Sequence, residues 1–281
     1  MPRRPSPPKP TLVLFVRHGT TPTTGSVLPG RAPGLHLAEQ GRAQAESVAE
    51  AISRLPKVQA VYASPLERTR ETAAPIAKRL GIPVRLEKGL LECDFGDWTG
   101  AKLGELAKLP EWRTVQRWPS GWRFPGGESF VELQRRMVGV TESLRQRHPG
   151  ETVVAVSHAD PIKAVASSAL GTPLDLFQRL VISPCSVTAI AYGDGGPTVV
   201  CLNAPAGGVT ELLTPPAPAR RRAARRGRGT PEGPVQEGPV PDGAASSAAG
   251  PGVLAPPGEE GAEGNGRRPP AVASGRRGSR S

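Results

Sequence analysis

Short runs of apolar residues recur through the first two thirds of the chain and predict its strands. Residues 12–16, 58–63 and 152–156 are almost wholly apolar, which is typical of strands that are buried on both faces of a sheet. Weaker strand patterns cover residues 82–86, 185–191 and 197–203. The sequence therefore predicts several short strands, three of which lie in the interior of a sheet.

Between these runs, apolar residues recur at helical spacing. Residues 38–55 form one such segment, and residues 128–147 form another. Ser64 and Pro65 look like a helix N-cap followed by a first-turn proline, in a helix that ends before Gly81. Another helix is predicted to start at Asp160-Pro161. Strands alternating with helices predict an α/β fold, a three-layer sandwich in which helices cover both faces of a mostly parallel central sheet.

Composition divides the chain into three parts. Residues 11–204 have the composition of one globular domain, whereas residues 1–10 are basic and rich in proline and are expected to be flexible. From residue 205 to residue 281 the chain consists mainly of Pro, Gly, Ala, Ser, Arg and Glu, so we expect a disordered tail. Aromatic residues do not interleave with the tail arginines, and we therefore do not expect nucleic-acid binding.

The net charge and the cysteines indicate what kind of substrate, cofactor and cellular location to expect. The formal net charge is +11, which suits a small anionic substrate. Cys93, Cys185 and Cys201 lack the spacing of a metal site, and a domain of this size needs no disulfides, so we expect no metal, no cofactor and a cytoplasmic location. No apolar run is long enough to cross a membrane, so no membrane association is expected.

Two of the buried strands end on a histidine. Residues 12–16 lead into Arg17 and His18, and residues 152–156 lead into Ser157 and His158. Ligands bind at the carboxyl ends of the strands in an open α/β sheet, so both histidines are expected at one reactive centre. The adjacent guanidinium of Arg17 should lower the pKa of His18 and leave its imidazole neutral and nucleophilic.

Arg68 lies in the first turn of the helix that follows the second strand. A cation in this place opposes the helix dipole, so the position makes sense if the guanidinium faces a bound anion such as phosphate. The alternative is a solvated surface arginine.

Five motifs, in this order along residues 11–203, resemble those of the histidine phosphatase superfamily, the phosphoglycerate-mutase-like enzymes. The resemblance is closest to small phosphatases and phosphomutases of high-GC, actinobacterial-type bacteria. The motifs are Arg17-His18-Gly19-Thr20-Thr21, Ser64-Pro65-Leu66-Glu67-Arg68-Thr69, Leu91-Glu92-Cys93-Asp94-Phe95-Gly96, Gly126-Gly127-Glu128-Ser129 and Ser157-His158.

The resemblance implies a role for each catalytic candidate. His18 would become the phosphohistidine, while Arg17, Arg68 and a positively charged His158 would hold the phosphoryl group. Glu92 would protonate the leaving group. This division of work fits phosphoryl transfer, which depends mainly on positioning and on neutralisation of charge.

Further residues are expected at the phosphate or the substrate. The resemblance, together with the available hydroxyls and backbone N–H groups, suggests Thr21, Thr24, Gly30, Arg31 and Ala159. The chain also departs from the family, since the second histidine is followed by Ala159-Asp160-Pro161 where glycines are usual. Asp160 either caps the following helix or discriminates against substrates that carry a second phosphate.

The region between residues 102 and 124 is rich in tryptophan and basic residues. Its aromatic side chains either seal the edge of the sheet or form a lid over the substrate.

We therefore expect a metal-independent phosphomonoester hydrolase that acts on a small phosphorylated metabolite through His18. The alternative is a phosphomutase with the same intermediate, and a non-catalytic protein that binds phosphorylated ligands is the third reading. The sequence leaves the natural substrate, the oligomeric state and the role of the tail open.

Overall fold

The computed structural model describes residues 8–213, and its centre is a six-stranded sheet in the order β3-β2-β4-β1-β5-β6. Strands β1 to β4 are parallel to one another, whereas β5 is antiparallel to both of its neighbours, β1 and β6. The prediction of a mostly parallel sheet is confirmed. The strands are β1 (Thr11–Arg17), β2 (Val58–Ala63), β3 (Val84–Leu86), β4 (Thr152–Ser157), β5 (Val187–Gly193) and β6 (Gly196–Ala204).

Helices cover both faces of the sheet. Helices α1, α2 and α7 contribute to the core on one face, and α5 and α6 contribute to the core on the other. The helices are α1 (Glu39–Ser53), α2 (Glu67–Leu80), α3 (Leu103–Leu106), α4 (Pro110–Arg117), α5 (Phe130–Arg147), α6 (Ala159–Leu170) and α7 (Ala206–Leu213). None of the helices formed within residues 8–213 has the length and apolar character that a membrane crossing requires.

Strand β1 shows why its sequence is apolar without alternation. Val13 and Phe15 belong to one hydrophobic core, and Leu14 and Val16 belong to the core on the opposite face. All four side chains are fully buried. A central strand with helices on both sides has no solvent-facing positions, which confirms the prediction from the sequence.

Helix α2 begins later than the sequence predicts. Its N-cap is Leu66, and Ser64 and Pro65 precede the helix. The backbone N–H of Ser64 donates to the carbonyl oxygen of Val156, which prolongs the contact between the ends of β2 and β4 and keeps this segment out of the helix. The predicted end is correct, since Gly81 adopts the left-handed conformation that terminates helices, with φ 67°.

In the tryptophan-rich region, most of the aromatic side chains seal the core, as the first of the two alternatives predicts. Trp98, Trp112 and Trp122 pack against one hydrophobic core, and the ring of Phe124 is buried among them. Trp118 is 60% exposed and lies elsewhere on the surface. Residues 102–124 contain two short helices, α3 and α4, and one 3₁₀ turn at residues 119–121.

The predicted domain boundary at residue 204 is wrong for the segment that follows. Residues 206–213 form helix α7, and Val209 is fully buried in the core shared with α1 and α2. The sequence signal was weak because α7 is short and contains two glycines. The remaining tail, residues 214–281, and residues 1–7 lie outside the described part of the chain.

Candidate active site

The two predicted histidines meet at the carboxyl edge of the sheet. Arg17 of β1 and Ser157 of β4 are paired in the parallel register, so the next residue on each strand leaves the sheet at the same level. The backbone N–H of His18 donates to the carbonyl oxygen of Ser157 over 3.0 Å. The imidazole centroids of His18 and His158 lie 5.2 Å apart.

The His18 ring is held in one tautomer. Its Nδ1 lies 2.8 Å from the carbonyl oxygen of Gly19. A carbonyl oxygen only accepts hydrogen bonds, so Nδ1 carries the proton and Nε2 keeps its lone pair. Burial lowers the pKa of His18 to about 3, and the charge of Arg68 adds to this effect. Arg17 lowers the pKa of His18 less than burial and Arg68 do. The neutral imidazole agrees with the sequence-based expectation, but Arg17 is not its main cause.

A close backbone approach positions this strand end. A Cβ atom at Gly19 would lie 2.5 Å from the carbonyl oxygen of Gly41 in α1, so a larger residue would push the two segments apart. The N–H of Gly19 donates to the hydroxyl of Thr72 in α2. The segment after His18 is therefore fixed between two helices.

Two guanidinium groups in this region have buried N–H groups without a partner. Arg68 is fully buried and donates from Nη2 to the carbonyl oxygen of Gly30 over 2.8 Å, while its Nε and Nη1 have no partner. Arg17 donates from Nη1 to the carbonyl oxygen of Ile182 over 2.6 Å, while its buried Nε has none. Unpartnered buried donors are costly, so the arrangement suits a bound anion, and the surface reading of Arg68 is wrong.

The surroundings of His158 favour a neutral imidazole, in contrast to the expected imidazolium. Burial holds its pKa well below the ordinary value, and the positive charge of Arg68 lowers it further. Its Nε2 lies 3.0 Å from Oγ of Ser64, and its buried Nδ1 has no hydrogen-bond partner. When the Ser64 hydroxyl donates to Nε2, Nδ1 carries the proton and offers an N–H group to an anion.

Glu92 is a buried carboxyl group beside these donors. Burial and, to a smaller extent, the negative charge of Asp160 raise its pKa to about 7, while Arg68 and Arg17 oppose the shift. Its Oε1 accepts from the backbone N–H of Cys93. A carboxyl group with a pKa near neutrality exchanges a proton easily, as general acid–base catalysis requires.

An ion-pair network fixes the backbone of Glu92. Arg31 and Arg136 both donate to the Glu92 carbonyl oxygen, over 2.8 and 3.3 Å. Both guanidinium groups also bind the carboxylate of Glu128, and Arg31 contacts Asp94 as well. Arg136 is a site residue that the sequence does not predict. Glu128 of the Gly126-Gly127-Glu128-Ser129 motif was the signal that could have indicated Arg136, because its largely buried carboxylate needs cationic partners.

Arg17, His18 and Glu92 open onto one cavity of about 410 Å³, whereas the fully buried Arg68 and His158 are not among the residues that line it. Three of the predicted phosphate-binding residues, Thr21, Thr24 and Ala159, also line it. Gly30 and Arg31 do not line the cavity. Larger cavities of about 520 and 560 Å³ elsewhere contain none of the five catalytic candidates.

The contacts of Gly30 and Arg31 explain their absence from the cavity wall. The Gly30 carbonyl holds Arg68, and a Cβ atom on Gly30, at φ 52°, would lie 2.9 Å from Oγ1 of Thr99. Arg31 is engaged with Glu92, Asp94 and Glu128.

Over residues 8–213, no cluster of three or more His, Cys, Asp or Glu side chains could hold a metal ion.

The structure combines a mostly parallel sheet with two histidines at its carboxyl edge and with buried arginines beside them. This combination is typical of one class of α/β enzymes. The chain belongs to the histidine phosphatase superfamily (branch 1), whose family model matches residues 13–205. Members of this family are phosphatases or phosphomutases, and the chain is an enzyme of this class.

Individual relatives agree with this assignment. The chain is 35% identical to phosphoserine phosphatase 1 of Hydrogenobacter thermophilus over 181 residues, 62% of this chain and 84% of that protein. It is 33% identical to a probable phosphoglycerate mutase of Cronobacter sakazakii over 183 residues, 64% of this chain and 84% of that protein. The structure of a mycobacterial glucosyl-3-phosphoglycerate phosphatase matches with a TM-score of 0.63 at 27% identity, and covers 69% of this chain and 98% of that one.

Proposed function

We propose that the chain is a metal-independent phosphomonoester hydrolase that works through a phosphohistidine at His18. One observation carries this proposal: the Nε2 lone pair of His18 lies in a buried region where guanidinium and imidazole N–H groups have no protein partner. Such N–H groups suit the oxygens of a phosphoryl group, and the lone pair suits its phosphorus atom.

In the first step, Nε2 of His18 attacks the phosphorus atom and the bond to the ester oxygen breaks. Arg17 and Arg68 balance the charge of the phosphoryl oxygens, and Nδ1–H of His158 donates a hydrogen bond to one of them. Glu92 gives its proton to the departing alkoxide, so the alcohol leaves neutral. The products of this step are phosphohistidine, an alcohol and the Glu92 carboxylate.

In the second step, water replaces the alcohol. The Glu92 carboxylate accepts a proton from this water as its oxygen attacks the phosphorus atom, and the bond from phosphorus to Nε2 breaks. Inorganic phosphate leaves, and both His18 and Glu92 return to their starting states. A pKa of about 7 suits Glu92 to both directions of proton transfer.

The remaining contacts are assigned by position. We propose that Thr21 and the backbone N–H of Ala159, in the first turn of α6, contact phosphoryl oxygens, since helix N-termini bind anions and both residues line the cavity. Thr24 accepts from the N–H of Thr21 and braces this loop. Gly30 and Arg31 instead position Arg68 and Glu92, because their contacts are with those residues.

We also propose a substrate class, from the size of the cavity, and a compartment, from the cysteines. A single site of this size suits a small phosphorylated metabolite, as the names of the relatives suggest. We propose the cytoplasm as the compartment, because Cys93, Cys185 and Cys201 are free thiols.

A phosphomutase would use the same phosphohistidine and return the phosphoryl group to a second hydroxyl. The similarity to a probable phosphoglycerate mutase favours this second candidate. The two activities differ only in the acceptor, which is water in one case and a substrate hydroxyl in the other.

The proposal is tested with the purified full chain and a panel of phosphorylated metabolites in the presence of a chelator. We expect release of inorganic phosphate, with one oxygen from the solvent when the reaction runs in ¹⁸O-labelled water. Positional isomers of the substrate without phosphate release would favour the mutase. Phosphate binding without turnover of any ester would favour a non-catalytic protein.

A further inference from the structure

Arg17, His18, Arg68 and His158 together form what we call the phosphoryl cage. The rest of the cavity has mainly apolar walls. Its lining side chains come from the loop after β1, from the start of α3 and from the segment before β5. They include Val27, Leu28, Leu103, Leu180, Val181 and Ile182. Such walls gain free energy when they cover apolar surface of a ligand.

Asp160 and Lys163 are the charged residues that line this part of the cavity. Asp160 and Lys163, one turn apart on α6, form an ion pair with 3.4 Å between Oδ1 and Nζ. Lys163 also donates to Oε1 of Gln178 over 3.1 Å. The side chains of Asp160 and Lys163 are only 19% and 16% exposed, so the pair is largely shielded from bulk solvent.

Each cation that lines the cavity therefore already has an anionic partner, either the phosphoryl group of the substrate or a protein carboxylate. Arg17 serves the phosphoryl cage together with Arg68, which is buried behind it, and Lys163 serves Asp160. A second anionic group on the substrate would meet the Asp160 carboxylate with no unpaired cation among the lining residues. Like charges brought together in a partly buried site repel each other, so such a substrate would bind less well than an uncharged one.

We propose that the alcohol part of the substrate is uncharged and largely apolar, and that Asp160 discriminates against esters that carry a carboxylate or a second phosphate. This inference rests on the proposed hydrolase function. The cavity volume of about 410 Å³ lies within the range of small-molecule sites, so it holds a phosphoryl group and a ring-sized alcohol. Phosphoserine and phosphoglycerate, which carry carboxylates, are poor substrates on this account.

The test compares two esters with the same reacting group. Benzyl phosphate and 4-carboxybenzyl phosphate release similar primary alcohols and differ in one remote carboxylate. We expect the full-length wild-type chain to hydrolyse benzyl phosphate with a kcat/KM roughly tenfold or more above that of the carboxylated ester. An equal or reversed preference would overturn the inference.

A variant then assigns the discrimination to its residue. Asp160→Asn removes the carboxylate and frees Lys163, so the preference for benzyl phosphate should fall by roughly fivefold or more. Asp194→Asn, the same change at an exposed residue in the β5–β6 turn, should leave the preference as in the wild type. If Asp160→Asn keeps the wild-type preference, the role of Asp160 is wrong. The comparison of the two esters with the wild-type chain needs no variant, so it tests the inference even if Asp160→Asn folds poorly.

The outcomes also separate this inference from the proposed function. If neither benzyl ester nor any other phosphomonoester is hydrolysed, the hydrolase proposal fails. If both esters are hydrolysed and the carboxylated one is preferred, the hydrolase stands and only the substrate class is overturned.

Discussion

Nδ1 of His158 lies 4.0 Å from Oε2 of Glu92, too far for a direct hydrogen bond. Both side chains are buried, and Nδ1 has no other partner. One oxygen atom between them could contact both groups. We therefore place an oxygen of the transferred phosphoryl group at this point, with Glu92 next to the bond that breaks.

Replacement of the Glu92 carboxyl should depend on the leaving group. In Glu92→Gln, kcat/KM for benzyl phosphate should fall by roughly 10²–10⁴-fold, because the alkoxide then leaves without a proton. For 4-nitrophenyl phosphate the fall should be less than about tenfold, since the phenolate is a stable leaving group. The measurement is steady-state hydrolysis of both esters. Glu111→Gln, at an exposed residue of α4, is the control. An equal loss on both esters would assign Glu92 another role.

The pH profile should reflect the same carboxyl group. Because the pKa of Glu92 is raised to about 7, kcat/KM should decline as the pH rises above that value and the acid loses its proton. In Asp160→Asn a neighbouring negative charge is absent, so the carboxylate forms more easily and the decline should begin at lower pH. Profiles of kcat/KM against pH for both proteins provide the measurement. A shift to higher pH would show that Asp160 does not act on Glu92 by charge.

The sequence predicts the sheet well because its signals are local. The run before His18 has no polar position, which identifies a central strand, and the end of α2 is marked by Gly81. The start of α2 was misplaced because Ser64 is held by contacts to β4 and His158, residues far away in sequence. Helix α7 was missed because burial of Val209, and not helix propensity, accounts for its order.

Arg68 should be a residue that serves function at a cost in stability. In Arg68→Met the unpartnered buried charge is gone, so the melting temperature without ligand should stay equal or rise. Activity should fall by roughly 10²–10³-fold, as for loss of one preorganised charge contact. Inorganic phosphate should raise the melting temperature of the wild type and not that of the variant. Arg70→Met, at the exposed neighbour, is the control. A phosphate-induced rise that persists in Arg68→Met would contradict the assignment.

Helix α7 should belong to the folded domain. A chain that ends at residue 204 loses the fully buried Val209, whose burial is worth about 2 kcal/mol, and should melt roughly 5 °C below a chain that ends at residue 213. Thermal unfolding of the two truncated chains and of the full chain measures this difference. Equal melting temperatures for the two truncated chains would show that α7 contributes nothing to the core.

The catalytic candidates could be selected from the sequence, but their states could not. Strand ends and motifs point to His18, Arg68 and His158, and the structure brings the three together. The charge of His158 depends on burial and on Arg68, which no local pattern encodes. The role of Arg31 likewise depends on Glu128, which is distant in sequence and adjacent only in the fold.

The central claim is the covalent intermediate on His18. Wild-type chain mixed with a ³²P-labelled phosphomonoester and quenched within milliseconds should carry a label that is stable in alkali and lost in acid, and that maps to His18. His36→Asn, which alters an exposed histidine paired with Glu71, should label as the wild type does. His18→Asn should show neither label nor turnover. Labelling or turnover that persists in His18→Asn would contradict the account.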